Sequence, residues 1–273
     1  MFCSLALLAF MLLGQSAVAA TLTLDLGHGV QQLQTKALLA RPDARTIHIP
    51  NDVAYHRAMD YRAVPLKALL HGITATDHLQ IVALDGFAAE MDAAIILANP
   101  GAQAWLAVQN PASPWPSLAN GKPGAGPFYI VWTNPQAGHI NPEQWPYQIA
   151  TIRRIGAVAA RFPALLPAAT LSADAPARRG FAVFRTHCMA CHTLNGEGDA
   201  RLGPDLNIPY NPTEYLKPKF LRAYIRNPQS LRHWPQAKMQ GFDRNALSDS
   251  DLDDLIAYLH ERAKHKQPHH ASH

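Results

Sequence analysis

Two domains follow from the sequence, a mixed α/β one over residues 21–162 and an all-α one over 176–264, and three observations predict them. Short runs rich in valine, isoleucine and aromatics, broken by proline, glycine, asparagine and aspartate, fill the first domain. Helical periodicity with long intervening loops fills the second. Between them the Pro/Ala-rich stretch FPALLPAATLSADAPA has no period, which predicts a linker over 163–175. At 273 residues the chain is long enough for each domain to bury its own core.

In the first domain TLTLDL, RTIHIP, LQIVALDGF, AWLAVQN and PFYIVWT read as strands. QQLQTKALLA, PLKALLHG and MDAAIILA have helical composition, with Pro65 just inside one start and Gly72 just past its end. In the second, DAPARRGFAVFRTH predicts a helix opened by a capping Asp174 with Pro176 just inside. SDSDLDDLIAYLHERAKHK carries a capping Ser or Asp, acids in its first turn and bases in its last. Leu252, Leu255, Ile256 and Leu259 mark its buried face. Residues 265–273 read as a flexible tail, and no internal repeat is present.

Residues 1–20 hold no charged side chain, an apolar run from Leu5 to Leu13, and small residues (Ala17 and Ala19, or Val18 and Ala20) at the spacing of a cleavage site. They predict a secretory signal peptide and a periplasmic protein. A missing basic residue at the start leaves an uncleaved N-terminal anchor as the alternative, and no later segment is apolar for the roughly twenty residues of a span. Cleavage removes Cys3, so the exported chain keeps Cys188 and Cys191 alone, and no disulfide framework. The net charge of +4 is concentrated locally. Lys217, Lys219, Arg222, Arg226, Arg232 and Lys238 lie in a stretch with no acid between Glu214 and Asp243, which reads either as a solvated face or as a docking patch for an acidic partner protein. Nucleic acid is not an expected partner for an exported protein.

The stretch RTHCMACHTLNGEG carries the chemistry. C-x-x-C could be a redox dithiol or half a zinc site, but a redox dithiol would adjoin a strand opening a βαβ unit, and no second C-x-x-C exists to complete a zinc site. C-x-x-C-H supplies two thiols for the vinyl groups of one haem c and an imidazole on the same turn for its iron. Cys188 and Cys191 are the covalent attachment candidates and His192 the axial ligand. Downstream of His192 one methionine follows, Met239 in AKMQGF, the candidate sixth ligand, with His233 its competitor.

Residues from about Gly180 to Lys264 resemble the small Met/His class of c-type cytochromes. Gly180 and Phe184 stand eight and four residues before Cys188, as in that family's first helix, and LIAYL matches the last helix, with Tyr258 at the crossing. GPDL matches the family's Gly-Pro-x-Leu loop, and the resemblance implies that the Pro204 carbonyl accepts the Nδ1 hydrogen of His192. It also places Met239 at the axial sulfur, with MQG standing for the common Met-Pro-Gly. The implied function is one-electron transfer through covalent haem.

The first domain is less legible. GKPGAGP precedes an apolar strand and reads as a turn, and neither G-x-S-x-G nor G-x-G-x-x-G occurs. His28, His48, His56, His71, His78 and His139 lack the paired spacings of a metal site. DYRAVPLKALL, DHLQIVALDGFAAEM, ILANPGAQAWLAVQ and GPFYIVW resemble, in that order, the sulfite-oxidase type of molybdopterin-binding domain. That family holds molybdenum through a cysteine, and none exists between Thr21 and Thr170, so molybdopterin is not expected and a partner-docking or ligand-binding scaffold is. Trp105, Trp115, Trp132 and Trp145 read as loop anchors rather than a pocket; Asp85, Trp132 and His139 are the candidates if a site exists. Two further readings stand beside electron transfer with an adaptor: a catalytic first domain with the haem as its electron outlet, and a ligand sensor that modulates the haem.

Overall fold

The computed structural model describes residues 20–267. Residues 1–19 of the predicted signal peptide, Cys3 included, and residues 268–273 of the tail lie outside the described residues. In chain order the strands are β1 (Thr21–Asp25), β2 (Val30–Gln34), β3 (Arg45–Ile49), β4 (Met59–Pro65), β5 (His78–Ala83), β6 (Ala88–Asp92), β7 (Gln103–Val108), β8 (Phe128–Thr133) and β9 (Ile149–Ile155). They form a five-stranded sheet ordered β2-β1-β9-β5-β6 and a four-stranded sheet ordered β3-β4-β7-β8. β1 runs parallel to β9, with Leu24 opposite Ile152, and the other pairings are antiparallel. Alternation places Leu22 and Leu24 of β1 inward, while β7 and β8 are buried almost throughout and read as continuous apolar runs. β8 ends its sheet, but its free edge is covered: Tyr129 bridges Tyr147, and the Ile130 N–H donates to the Pro146 carbonyl at 3.0 Å.

The expected α/β balance shifts toward β. QQLQTKALLA is not one helix: its first half pairs with β1 as β2, leaving α1 (Thr35–Leu39). PLKALL forms only a 3₁₀ turn over Leu66–Leu69 after β4, whose strand ends at Pro65, and MDAAIILA is split between β6 and α2 (Ala93–Leu97). One-turn helices are poor structures in isolation, and here pairing and burial on the sheets decide the backbone. The tryptophans are mainly core: Trp105, Trp132 and Trp145 are buried, and Trp115 meets Tyr61 edge to face at 4.9 Å.

A second group of buried apolar side chains runs from Val158 to Leu259. Its helices are α3 (Val158–Arg161), α4 (Pro176–His187), α5 (Pro212–Tyr215), α6 (Pro218–Arg226) and α7 (Asp249–Ala263). The stretch read as a linker is packed at its start: Leu165 is buried in this core, and its carbonyl accepts from the Tyr258 hydroxyl at 2.6 Å. Asp174 does not cap α4; Ala175 stands at the N-cap, and the Asp174 carbonyl accepts from Arg179 instead. Ser248 caps α7 by accepting the Asp251 N–H. α4 crosses α7 at Gly180, where a Cβ would run into the Asp254 carbonyl and come within 2.7 Å of the Tyr258 Cβ. Phe181 and Phe184 pack on the Tyr258 ring, and Arg179 forks onto Asp254 at 2.7 and 2.8 Å. No helix among the described residues is long and apolar enough to cross a membrane.

Candidate functional site

Cys188 closes α4, and the turn that follows returns the chain so that the Cys191 and His192 N–H groups both donate to the Cys188 carbonyl. The thiols are unpaired and partly covered. Burial, followed by the charge of Glu143, pushes the Cys188 thiol far up, and burial, followed by Asp85 and then Glu143, pushes Cys191 up to about 11. Reactive dithiols have depressed values, so this environment does not suit a redox pair. His192 Nδ1 lies 2.7 Å from the Pro204 carbonyl, the acceptor the resemblance names. A carbonyl only accepts, so Nδ1 carries the hydrogen and the Nε2 lone pair is left for a metal. Burial, partly opposed by that hydrogen bond, lowers the imidazole pKa and favours this neutral form. Gly203 makes room for the ring: a Cβ there would sit 2.5 to 3.0 Å from its atoms.

The loop carrying Pro204 is tied to α7 by three buried asparagines that sequence reading did not single out. Asn207 donates to Asn195 Oδ1 at 2.6 Å and to the Arg262 carbonyl at 2.9 Å, and Asn211 donates to Asn207 Oδ1 at 2.9 Å and to the Leu259 carbonyl at 3.0 Å. Asn195 reaches the Ala164 and His265 carbonyls, each at 3.2 Å. Together they add side-chain bonds to the last turn of α7, where the Arg262 carbonyl also accepts the His265 N–H at 2.9 Å.

Met239 is half-buried and His233 exposed in the segment between α6 and α7. Three residues beyond Met239 the chain is anchored beside the motif: the Phe242 N–H donates to Ile225 at 3.1 Å, and its ring meets that of His187 edge to face at 5.6 Å. Eight large apolar side chains stand exposed among the described residues, and six, Tyr210, Tyr215, Phe220, Tyr224, Leu231 and Trp234, fall between residues 210 and 234. A turn presenting two thiols and one neutral imidazole fits the attachment points of a haem.

The basic stretch is thinner than its sequence suggests. Arg222 pairs with Asp253, and Arg226 binds the Phe242, Asp243 and Leu247 carbonyls and Asp249, so both are structural. Lys217, Lys219, Arg232 and Lys238 remain exposed, with Lys219 over Phe220 and Arg232 over Trp234.

The first domain sits directly on the motif. The Ala88 N–H donates to the carbonyl of Ala190, between the two cysteines, at 3.0 Å, and the Arg201 N–H reaches the Gly86 carbonyl at 3.4 Å. Asp199 from the second domain accepts from Gln80 at 2.6 Å and pairs with Arg161, which holds the buried Glu90 at 2.7 Å. Arg153 binds Gln80 at 2.8 Å. Glu143 and His187 face each other at 3.2 Å out of hydrogen-bond alignment. The cleft between the domains, lined by His78, Glu90, Asp92, Glu143 and Arg185, encloses about 60 Å³, well short of the few hundred that a small-molecule site needs.

The three weaker candidates are not gathered into a site. Trp132 is buried in β8 with its Nε1 on the Gln144 carbonyl at 2.7 Å, and His139 is exposed in a turn at φ 53°. Asp85 lies on the other sheet, in the β5–β6 turn beside Cys191, where it accepts the Phe87 N–H at 3.1 Å. Among the described residues no three His, Cys, Asp or Glu side chains converge as metal ligands would.

The model of the cytochrome c family matches residues 177–263. That stretch is a cytochrome c domain, which implies covalent haem c and haem-based electron transfer. No curated protein matches the chain.

Proposed function

We propose that this chain is an exported, periplasmic electron carrier with one haem c, attached through Cys188 and Cys191 and ligated by His192 and Met239. Bound haem would supply a one-electron couple. The chain's own residues attach it, orient the imidazole through the Pro204 carbonyl and shield the faces from water. The observation that carries the reading is the neutral, Pro204-bonded His192 on the same turn as two unpaired, partly covered thiols.

The N-terminal domain is proposed as an adaptor without molybdenum. Its segment order supports a sulfite-oxidase-type ancestry, and the absence of cysteine from 21–170 removes the usual metal thiolate. Lys217, Lys219, Arg232 and Lys238, interleaved with exposed aromatics, support docking of an acidic redox protein. The salt dependence of electron exchange tests that contact.

Elemental and haem analysis of the full chain, matured in a host that attaches haem c, tests the central reading. About one iron per chain, with haem that survives denaturation and is lost when Cys188 and Cys191 are both changed to Ser, is the expected result. A chain without covalent haem would refute it. Stoichiometric molybdenum or copper would instead make the N-terminal domain catalytic, with the haem as its outlet.

A further inference from the structure

The β5–β6 turn is attached to the motif itself. Ala88, at its base, bonds Ala190 between the two cysteines, and Gly86, at its tip, bonds the backbone of Arg201, two residues before the Gly203 that accommodates the His192 ring. The placement is fixed from behind by Asp199, which Gln80 of β5 and Arg161 both hold, and by Glu90 of β6, which is bonded to the same Arg161. Asp85, next to Gly86 in that turn, accepts the Phe87 N–H at 3.1 Å. Leu84, beside Asp85, is 67% exposed, one of only two large apolar side chains outside residues 210–234 to stand open among the described residues.

We propose that the N-terminal domain forms one wall of the haem site: the β5–β6 turn, bonded to Ala190, sets Asp85 against the edge of the haem that Cys191 holds, and the carboxylate lowers the reduction potential. The inference rests on the reading of Cys188 and Cys191 as haem attachment residues. Oxidation adds one positive charge at the iron, and a nearby carboxylate favours that state, the more so where protein rather than water surrounds it. Asp85 is then a positioning and tuning residue, and the adaptor domain becomes part of the redox centre.

The test is potentiometric titration of the full-length holoprotein at low ionic strength. Asp85→Asn keeps an acceptor for the Phe87 N–H but removes the charge, and its midpoint potential is expected to rise. Leu84→Glu adds a charge at an exposed position of the same turn, and its potential is expected to fall. Asp60→Asn, in β4 of the other sheet, should leave it unchanged. Covalent haem content and the optical spectrum, measured on the same samples, should stay at wild-type values in all three. Unchanged potentials in both turn variants, or shifts of the same sign in both, would overturn the proposal. A wild-type chain without covalent haem would remove the reading beneath it, an outcome that haem content separates from the others.

Discussion

His192 shows how one backbone acceptor decides a side chain's chemistry. With Nδ1 committed to the Pro204 carbonyl, the ring can meet a metal only through Nε2, and burial keeps it neutral. The opposite ligand is a choice between a half-buried Met239 and an exposed His233. Methionine ligation raises a haem potential relative to a second histidine. Met239→Ala is expected to open the sixth position, change the optical spectrum and lower the midpoint potential by on the order of 0.1 V, within the roughly 0.8 V that axial ligation spans. His233→Ala should change neither, and the reverse pattern would transfer the role to His233. At this scale the motif was legible because covalent attachment needs its residues on one turn. Asn195, Asn207 and Asn211 were not, because asparagine in a loop reads as a solvated turn residue and only the tertiary fold buries it.

Strands dense in branched and aromatic residues were legible one by one: β1, β3, β5, β7 and β8 lie where composition placed them. β2, β4, β6 and β9 were not singled out. The glutamines of VQQLQ have no strand preference and pair because β1 offers an antiparallel edge, and β4 ends in the proline that read as a helix start. α6 carries a related lesson about charge. Its Arg222 and Arg226 read as part of a free basic patch, but they bind Asp253, Asp249 and the backbone leading into α7. What remains for a partner is the flanking set Lys217, Lys219, Arg232 and Lys238. Exchange with an acidic redox protein should slow several-fold as ionic strength rises from about 0.01 to 0.15 M, where the screening length shrinks from about 30 to 8 Å. A stopped-flow rate that is flat across that range would remove these four cations from docking.

The molecule has two apolar cores but no free tether between them. Its division into a sheet region and a helical region was legible from the change in periodicity; the joint was not, because Gln80, Glu90, Arg153, Arg161 and Asp199 are scattered in sequence and converge only on folding. Arg161→Met would leave Glu90 and Asp199 without their shared cation, at a cost of about 3 kcal/mol if both stay charged. Adding Glu90→Gln should recover part of that loss. Denaturant unfolding measures both, and a loss below about 0.5 kcal/mol for the single variant would mark the network as a surface contact. Acid acts on its carboxylates with opposite signs. Burial raises Glu90 despite Arg161, so its charge weighs against folding above its raised pKa. At Asp199 burial is outweighed by Gln80 and Arg161, so its contribution is present above the usual aspartate pKa of about 3.9 and fades as the pH falls through its lower folded value. The asparagine ladder has a consequence in time. The loop bearing Pro204 is fastened to Leu259, Arg262 and His265, which follow it by some fifty residues or more, whereas Cys188, Cys191 and His192 are synthesised earlier. Until the last helix arrives, the loop is held over the turn by local bonds alone, such as the Gly203 N–H to the Cys191 carbonyl at 2.7 Å, and the thiols are less firmly covered.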